Sequence, residues 1–192
     1  MATVIGLLRH GQTDWNIDMR LQGISDIPLN ETGHQQAKLA AEILSNGSWD
    51  HVITSPLSRA HVTARYVADS LNLNEITVHE LLLERSFGEA EGLSYEAWRE
   101  RLNAGLHATG AESNEALEAR VHELLVELLA KYEGKSVIAV SHGALIRKLI
   151  GIVSAGEFPR DGERFGNASL TKIIHDGESW KILDYNPSTI SH

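Results

Sequence analysis

The chain has 192 residues, of which 42% are hydrophobic and 22% are charged, and its formal net charge is −9. This composition is typical of a globular protein, and the acidic excess argues against a nucleic acid or an anionic membrane as a general partner, since either would need a basic surface. The sequence contains no cysteine, which excludes disulfides, thiolate metal sites and cysteine nucleophiles.

Strand-like and helix-like segments alternate along the first half of the chain. Short apolar runs predict strands at 3–8, 52–54 and 76–78. Apolar side chains spaced three and four residues apart predict helices at 31–45 and 57–71. The segments 11–29 and 80–93 are predicted to be loops, and long loops beside strand ends are often functional.

The second half continues the same alternation. It is predicted to contain helices at 94–105, 114–132 and 143–153, and strands at 136–141, 170–174 and 180–183. Strands that alternate with helices predict an α/β fold with a mostly parallel central sheet and helices on both faces. The last two strands are expected to add an antiparallel edge. We expect a single domain over residues 1–192.

Two histidines stand in the same local setting, although they are far apart in the sequence. His10 follows the predicted strand at 3–8 and precedes a glycine, and His142 follows the predicted strand at 136–141 and also precedes a glycine. The carboxyl ends of the strands are where open α/β sheets bind ligands. The sequence therefore predicts a site that both histidines share.

Other strand ends add charged side chains to this predicted site. Arg9 directly precedes His10, Arg59 follows the strand at 52–54, and Glu84 follows the strand at 76–78. Guanidinium groups match phosphate oxygens in geometry and charge. The helix N-termini after Gly143 and near Pro56 are expected to add backbone N–H donors for an anion.

Three other motifs compete with this interpretation. The run 6–13 resembles a P-loop, but Gln12 stands where the phosphate-binding lysine belongs. Ser141 stands in a sequence like a nucleophile elbow, which would need an acid and a histidine such as Asp161 and His175. The ten histidines show no H-x-H or H-E-x-x-H spacing, so a metal site is not expected.

Several stretches occur in the order in which one enzyme family carries them. They are Leu8–Asn16, Leu21–Gly23, Asp26–Gly33, Thr54–Ala60, Leu83–Gly92, Val140–Gly143 and Gly166–Ser169. On these stretches the chain resembles the histidine phosphatase superfamily, the phosphoglycerate-mutase-like group. The resemblance implies a phosphoglycerate-mutase-like fold with a small helical cap insertion at roughly 85–115.

The resemblance also implies roles for individual side chains. It makes His10 the nucleophile that becomes phosphorylated, and places Arg9, Arg59 and His142 around the phosphoryl group. Glu84 becomes the proton donor to the leaving alcohol and then the base for water. The nucleophile has to be a neutral imidazole, and a backbone carbonyl of its own turn is the expected partner of its other nitrogen. No metal or other cofactor is implied.

A second set of residues is expected to complete the substrate-binding rim. It consists of Asn16, Gln22, Gly23 and Asn167. Glu91 is the main rival of Glu84 for the proton-transfer role, although in the family this glutamate is normally structural.

The chain resembles the compact phosphatase branch more than the mutases, which typically carry a longer insert between Glu84 and His142. The expected function is metal-independent hydrolysis of a phosphomonoester. The alternatives are a 2,3-bisphosphoglycerate-dependent phosphoglycerate mutase and a non-catalytic protein that binds phosphorylated ligands. We expect a cytoplasmic monomer or homodimer that acts on a small phosphorylated metabolite, with no membrane or nucleic-acid partner.

Overall fold

A six-stranded sheet forms the centre of the structure, a computed structural model that describes residues 2–191. The strands in this range are β1 (Thr3–Arg9), β2 (His51–Thr54), β3 (Ile76–Val78), β4 (Ser136–Ser141), β5 (Leu170–His175) and β6 (Trp180–Asp184). The α-helices are α1 (Asp14–Ile17), α2 (Glu31–Leu44), α3 (Ser58–Ser70), α4 (Tyr95–Asn103), α5 (Asn114–Tyr132) and α6 (Gly143–Val153). None of these helices is long and apolar enough to cross a membrane.

The strands are arranged in the order β3-β2-β4-β1-β5-β6. The first four run parallel to one another, β5 pairs antiparallel with β1, and β6 pairs antiparallel with β5. This confirms the predicted mostly parallel sheet and its antiparallel edge. The predicted strands and helices are all present, with ends shifted by a residue or two.

The two segments predicted to be loops contain short helices. The segment 11–29 includes α1, which begins with a capping box: the Thr13 side chain accepts a hydrogen bond from the Asn16 amide, and Asn16 Oδ1 accepts one from the Thr13 amide. The segment 80–93 includes the 3₁₀ helices Glu80–Leu82 and Gly88–Ala90. Helices this short carry no apolar periodicity, so their caps and turns alone define them.

Helices cover both faces of the sheet, as predicted. One apolar cluster joins Leu7 of β1 and Val137 of β4 to buried side chains of α5 and α6. The other joins Leu8 and Ile138, their neighbours along the strands, to alanines of α2 and α3. Because successive side chains of a strand point to opposite faces, each central strand contributes to both cores.

The pairing of β1 with β4 sets the positions of the two histidines. Arg9 lies opposite Ser141 in the parallel register, and the His10 amide donates to the Ser141 carbonyl over 3.0 Å. His10 and His142 therefore leave neighbouring strands at the same level. On the other side of β4, strand β2 ends at Thr54 and leads into Ser55.

Two glycines let the turn after His10 lie against the first turn of α2. A Cβ atom at Gly11 would lie 2.3 Å from the Gly33 carbonyl oxygen, and a Cβ atom at Gly33 would lie 2.1 Å from the Gln12 carbonyl oxygen. Neither position tolerates a side chain without movement of the backbone. The close approach holds the turn against the first turn of α2.

The packing of α5 against the sheet can be tested with one substitution. Leu124 is fully buried in the α5 core, so we expect Leu124→Ala to lower the free energy of unfolding by roughly 2–5 kcal/mol. Val126 on the same helix is 69% exposed, and Val126→Ala should change this free energy by less than about 0.5 kcal/mol. Urea unfolding measures both values. Equal losses in the two variants would contradict the packing described above.

Candidate active site

A cleft of about 270 Å³ lies where β1 and β4 end. Most of the side chains and backbone positions predicted for the site line this cleft, namely Arg9, His10, Asn16, Gln22, Gly23, Arg59 and Glu84. His142 and Asn167 do not line it, and both lie against the turn that carries His10. The structure thus brings the predicted residues together, with the His142 ring directly beside that of His10 and Asn167 bonded to the His10 carbonyl.

His10 is held as a neutral imidazole with one nitrogen fixed. Its side chain is buried, and its Nδ1 lies 2.6 Å from the carbonyl oxygen of Gly11. This confirms the predicted backbone partner. Burial, together with the charges of Arg59 and Arg9, lowers the pKa of His10 well below its usual value. Because Nδ1–H donates to the carbonyl, the lone pair stays on Nε2, the nitrogen available for nucleophilic attack.

His142 lies beside His10 in the protein interior. The centres of the two rings are 5.1 Å apart, and His142 is fully buried. Its Nε2 lies 2.7 Å from the hydroxyl oxygen of Ser55, whereas its Nδ1 has no hydrogen-bond partner within residues 2–191. Burial and the nearby Arg59 lower the pKa of His142 well below its usual value, so this ring is also neutral at neutral pH.

Arg59, in the first turn of α3, is a buried cation held by backbone carbonyls. Its Nη1 donates to Ser25 over 2.8 Å and its Nη2 donates to Gly23 over 2.7 Å. Burial lowers the pKa of Arg59 to about 10, which leaves the guanidinium charged at neutral pH. Its Nε has no hydrogen-bond partner in the described part of the chain.

Glu91 holds the loop that offers these carbonyls. Its carboxylate accepts hydrogen bonds from the amides of Ile24 over 3.0 Å and Ser25 over 2.8 Å. Gly23 adopts a φ of +54°, and a Cβ atom there would lie 2.1 Å from Glu91 Oε1. Glu91 does not line the cleft, and these contacts agree with the structural role expected for it.

Arg9 is the second cation of the cleft. Its Nη1 donates to the Phe165 carbonyl oxygen, and its Nε has no hydrogen-bond partner among residues 2–191. Burial lowers the pKa of Arg9, and the neighbouring Glu84 carboxylate opposes this shift. Each arginine therefore has one buried Nε–H group without an acceptor in the described chain. This group can donate a hydrogen bond to an anion.

Glu84 stands at the N-terminus of α6. Its Oε1 accepts hydrogen bonds from the amides of Arg85 over 2.9 Å and Leu145 over 3.0 Å, and its Oε2 accepts one from Ala144 over 3.1 Å. A carboxylate oxygen has two acceptor positions, so Oε2 keeps one position at which it can carry or take a proton. Glu84 lines the cleft, as a proton-transfer group has to.

The prediction that helix N-termini supply backbone donors for an anion is wrong for four amides, which donate within the protein instead. At α6, the Ala144 and Leu145 amides donate to Glu84. At α3, the Leu57 amide donates to Ser55 Oγ and the Ser58 amide donates to Asp26. Carboxylates and a hydroxyl of the protein occupy these donors, because helix ends in the interior need partners of their own.

Two asparagines support the site through hydrogen bonds to its backbone and to each other. Asn167 Nδ2 donates to Asn16 Oδ1 over 3.0 Å, to the His10 carbonyl over 3.2 Å and to the Gly11 carbonyl over 3.3 Å. Gln22 lines the cleft while its Oε1 accepts a hydrogen bond from Thr13 Oγ over 3.0 Å. Asn167 is thus placed to fix the turn that carries His10, and Asn16 and Gln22 line the cleft.

The mouth of the cleft contains arginines that the sequence analysis missed. Arg20, Arg147 and Arg164 line it together with Phe87 and Tyr95. The Arg164 guanidinium lies over the Tyr95 ring, 5.8 Å from its centre. The two aromatic residues belong to the predicted cap segment. The arginines follow no strand end, so no motif pointed to them.

The nucleophile-elbow motif at Ser141 forms no site of its own in the structure. Ser141 is fully buried, and its hydroxyl donates to the Leu82 carbonyl over 2.8 Å. His175 pairs with Thr3 at the start of β1, whereas Ser141 pairs with Arg9 at its end, so His175 is not positioned as a base for Ser141. Within residues 2–191, no group of three or more histidine, cysteine, aspartate or glutamate side chains could hold a metal ion.

Comparison with known proteins gives relatives along nearly the whole chain. The profile of the histidine phosphatase superfamily (branch 1) matches residues 5–188. The chain is 38% identical over 184 residues to the uncharacterized phosphatase PhoE of Bacillus subtilis (strain 168), covering 96% of this chain and 94% of that protein. It is 34% identical over 185 residues to the probable phosphoglycerate mutase GpmB of Serratia proteamaculans (strain 568), covering 91% and 86%.

A solved structure agrees with the same relationship. The mycobacterial glucosyl-3-phosphoglycerate phosphatase superimposes with a TM-score of 0.82 at 31% sequence identity. The superposition covers 97% of this chain and 99% of that one. The likeness therefore extends over nearly the whole chain.

The two buried histidines predict how stability depends on pH. Their pKa values are lowered in the folded protein, whereas the unfolded chain protonates histidine near pH 6.5. Below that pH the unfolded state binds more protons than the folded state. The free energy of unfolding should therefore fall as the pH falls, by about 1.4 kcal/mol per pH unit for each histidine.

Urea unfolding between about pH 7 and pH 5 measures this slope. In the variant His142→Gln, the slope of the free energy of unfolding with pH should be smaller by the contribution of one histidine. His107→Gln, at an exposed position, should keep the slope of the unaltered protein. If His142→Gln and the unaltered protein had the same slope, His142 would have to be protonated in the folded state.

Proposed function

The chain belongs to the histidine phosphatase superfamily, an enzyme superfamily of phosphatases and mutases, and we propose that it hydrolyses phosphomonoesters through a phosphohistidine at His10. One observation carries this proposal. Arg9 Nε, Arg59 Nε and His142 Nδ1 are all buried without a hydrogen-bond partner in residues 2–191, and all three belong to side chains gathered around His10. The oxygens of a phosphoryl group would satisfy all three.

In the first step, the lone pair of His10 Nε2 attacks phosphorus. A nitrogen–phosphorus bond forms and the bond from phosphorus to the alcohol oxygen breaks. Glu84, protonated at Oε2 once the phosphate anion is bound beside it, gives this proton to the alcohol oxygen. The Gly11 carbonyl, 2.6 Å from Nδ1, stabilises the positive charge that develops on the ring. Arg9 and Arg59 stabilise the charge that spreads over the equatorial oxygens.

In the second step, water attacks the phosphohistidine. Glu84, now a carboxylate, takes the water proton, the nitrogen–phosphorus bond breaks, and its electron pair returns to His10 Nε2. Inorganic phosphate leaves, and the enzyme recovers its starting protonation. The cationic side chains take the place that a metal ion has in other phosphoryl-transfer enzymes.

The mouth of the cleft favours a substrate whose alcohol half carries a second anionic group. Arg147 and Arg164 are exposed there, and neither has a carboxylate within ion-pair distance in the described chain. Arg20, in contrast, lies 3.4 Å from Asp18. Two unpaired arginines at the mouth, in a chain with a net charge of −9, form a local site for an anion.

Hydrolysis by this site is tested by phosphate release from 4-nitrophenyl phosphate. We expect turnover by the unaltered protein, and a loss of roughly four orders of magnitude or more in kcat for His10→Asn, because the nucleophile is removed. Circular dichroism serves as the control that the variant folds.

The same preparation distinguishes the two alternatives. Interconversion of 3- and 2-phosphoglycerate that requires 2,3-bisphosphoglycerate, without comparable phosphate release, would establish a mutase instead. Binding of phosphorylated ligands without turnover of any of them would establish a non-catalytic binding protein.

A matched pair of substrates tests the second anionic group. 3-Phosphoglycerate and glycerol 3-phosphate have the same number of carbons, but only the first carries a carboxylate. We expect kcat/KM to be higher for 3-phosphoglycerate by about tenfold or more, because charge-assisted hydrogen bonds to the arginines form only with the carboxylate. The double variant Arg147→Met/Arg164→Met should lose this preference and keep its activity on glycerol 3-phosphate.

Lys148→Met is the matched control for this pair of substitutions. Lys148 follows Arg147 on α6 and lies 3.3 Å from Glu118, but it does not line the phosphate cleft. This variant should keep the preference for 3-phosphoglycerate. Equal kcat/KM values for the two substrates in the unaltered protein would show that the mouth does not select a second anionic group. They would not contradict phosphomonoester hydrolysis.

A further inference from the structure

Ser55 contacts the second histidine of the site from the protein interior. It follows β2 directly, is fully buried, and its Oγ lies 2.7 Å from His142 Nε2. The same oxygen accepts a hydrogen bond from the Leu57 amide over 3.3 Å. Both contacts of Ser55 Oγ are with the Leu57 amide and His142, so Ser55 acts through His142 and not on the substrate itself.

The hydrogen bonds around Ser55 decide which nitrogen of His142 carries the proton. A neutral imidazole has one N–H, which stands on either Nδ1 or Nε2. If Nε2 carried it and donated to Ser55, the serine hydroxyl proton would have no acceptor, because Ser55 Oγ has no other hydrogen-bond partner in residues 2–191 besides the Leu57 amide. A buried hydroxyl without an acceptor is destabilising.

The charges around His142 favour the same arrangement. Arg59, Arg9 and Arg120 act on it from three elements, and His10 lies beside it, so the ring stays neutral. With the proton on Nε2, the lone pair of Nδ1 would meet the negative oxygens of a bound phosphoryl group. With the proton on Nδ1, the ring donates a hydrogen bond to one of these oxygens.

We infer that Ser55 is a positioning residue whose hydroxyl donates to His142 Nε2 and so keeps the single imidazole proton on Nδ1, where it serves a phosphoryl oxygen. The inference rests on the proposed function, because it needs a phosphoryl group in the cleft. Its chemical effect is a fixed tautomer and ring orientation in place of a freely exchanging one.

Kinetics of a pair of serine variants test this role. Ser55→Ala should lower kcat for 4-nitrophenyl phosphate by roughly tenfold to a hundredfold, because the donor from His142 to the phosphoryl group is no longer fixed. Ser141→Ala removes another fully buried hydroxyl with one hydrogen bond, to Leu82, and should keep kcat within about threefold. Equal kcat values for the two variants would overturn the inference.

Nitrogen NMR tests the tautomer directly and does not depend on turnover. In the ¹⁵N-histidine protein saturated with inorganic phosphate, the resonances missing from the spectrum of His142→Asn identify the ring. We expect Nδ1 to be the protonated nitrogen of His142 in the unaltered protein. Protonation at Nε2 would overturn the inference, even where Ser55→Ala failed to fold.

The two proposals fail in different ways. Full activity of His10→Asn would reject the phosphohistidine pathway, while the spectrum would still report the tautomer of His142. A His10-dependent phosphatase with His142 protonated at Nε2 would reject the role of Ser55 alone.

Discussion

The parallel pairing of β1 with β4 is the constraint on which the site depends. It places Arg9 opposite Ser141, so that the residues after each strand, His10 and His142, end up with ring centres 5.1 Å apart. The same sheet order puts the end of β2 on the other side of β4, which brings Ser55 within hydrogen-bond distance of His142. Side chains that are distant in sequence thus meet because strand ends in a parallel sheet lie at one edge.

A site for a dianion has to hold positive charge in the interior before its ligand arrives. Backbone carbonyls do this for Arg59, since Gly23 and Ser25 accept its hydrogen bonds without cancelling its charge. A carboxylate in direct contact would have neutralised the cation. Glu91 instead binds the amides of the loop, so the negative charge supports the carbonyls from a distance. Burying such a cation lowers the stability of the fold, as is common at functional sites.

The sequence predicted the sheet and most of the cleft because strand periodicity and strand-end motifs are local signals. His10, Arg59 and Glu84 each follow a recognisable strand, and their convergence follows from sheet topology. The features of the site that the sequence did not predict have one physical cause. The helix N-terminal amides were expected to be free, but side chains such as Glu84 occupy them, and Arg147 and Arg164 reach the mouth from a helix face and a loop. Tertiary contacts of single side chains leave no periodic trace in a sequence.

Burial acts on two arginines and two histidines of the site, Arg9, Arg59, His10 and His142, yet it sorts them into two classes. It lowers the pKa of the arginines and of the histidines alike, because it disfavours any positive charge. Arg59 stays charged because its pKa falls only to about 10, whereas the pKa of His10 falls from an ordinary value near 6.5, so this ring is neutral and keeps a single N–H. One environment therefore produces a neutral imidazole beside a permanent cation at neutral pH. Burial does not decide which nitrogen of each ring keeps its proton. The hydrogen-bond partners decide this: the Gly11 carbonyl for His10 and the Ser55 hydroxyl for His142.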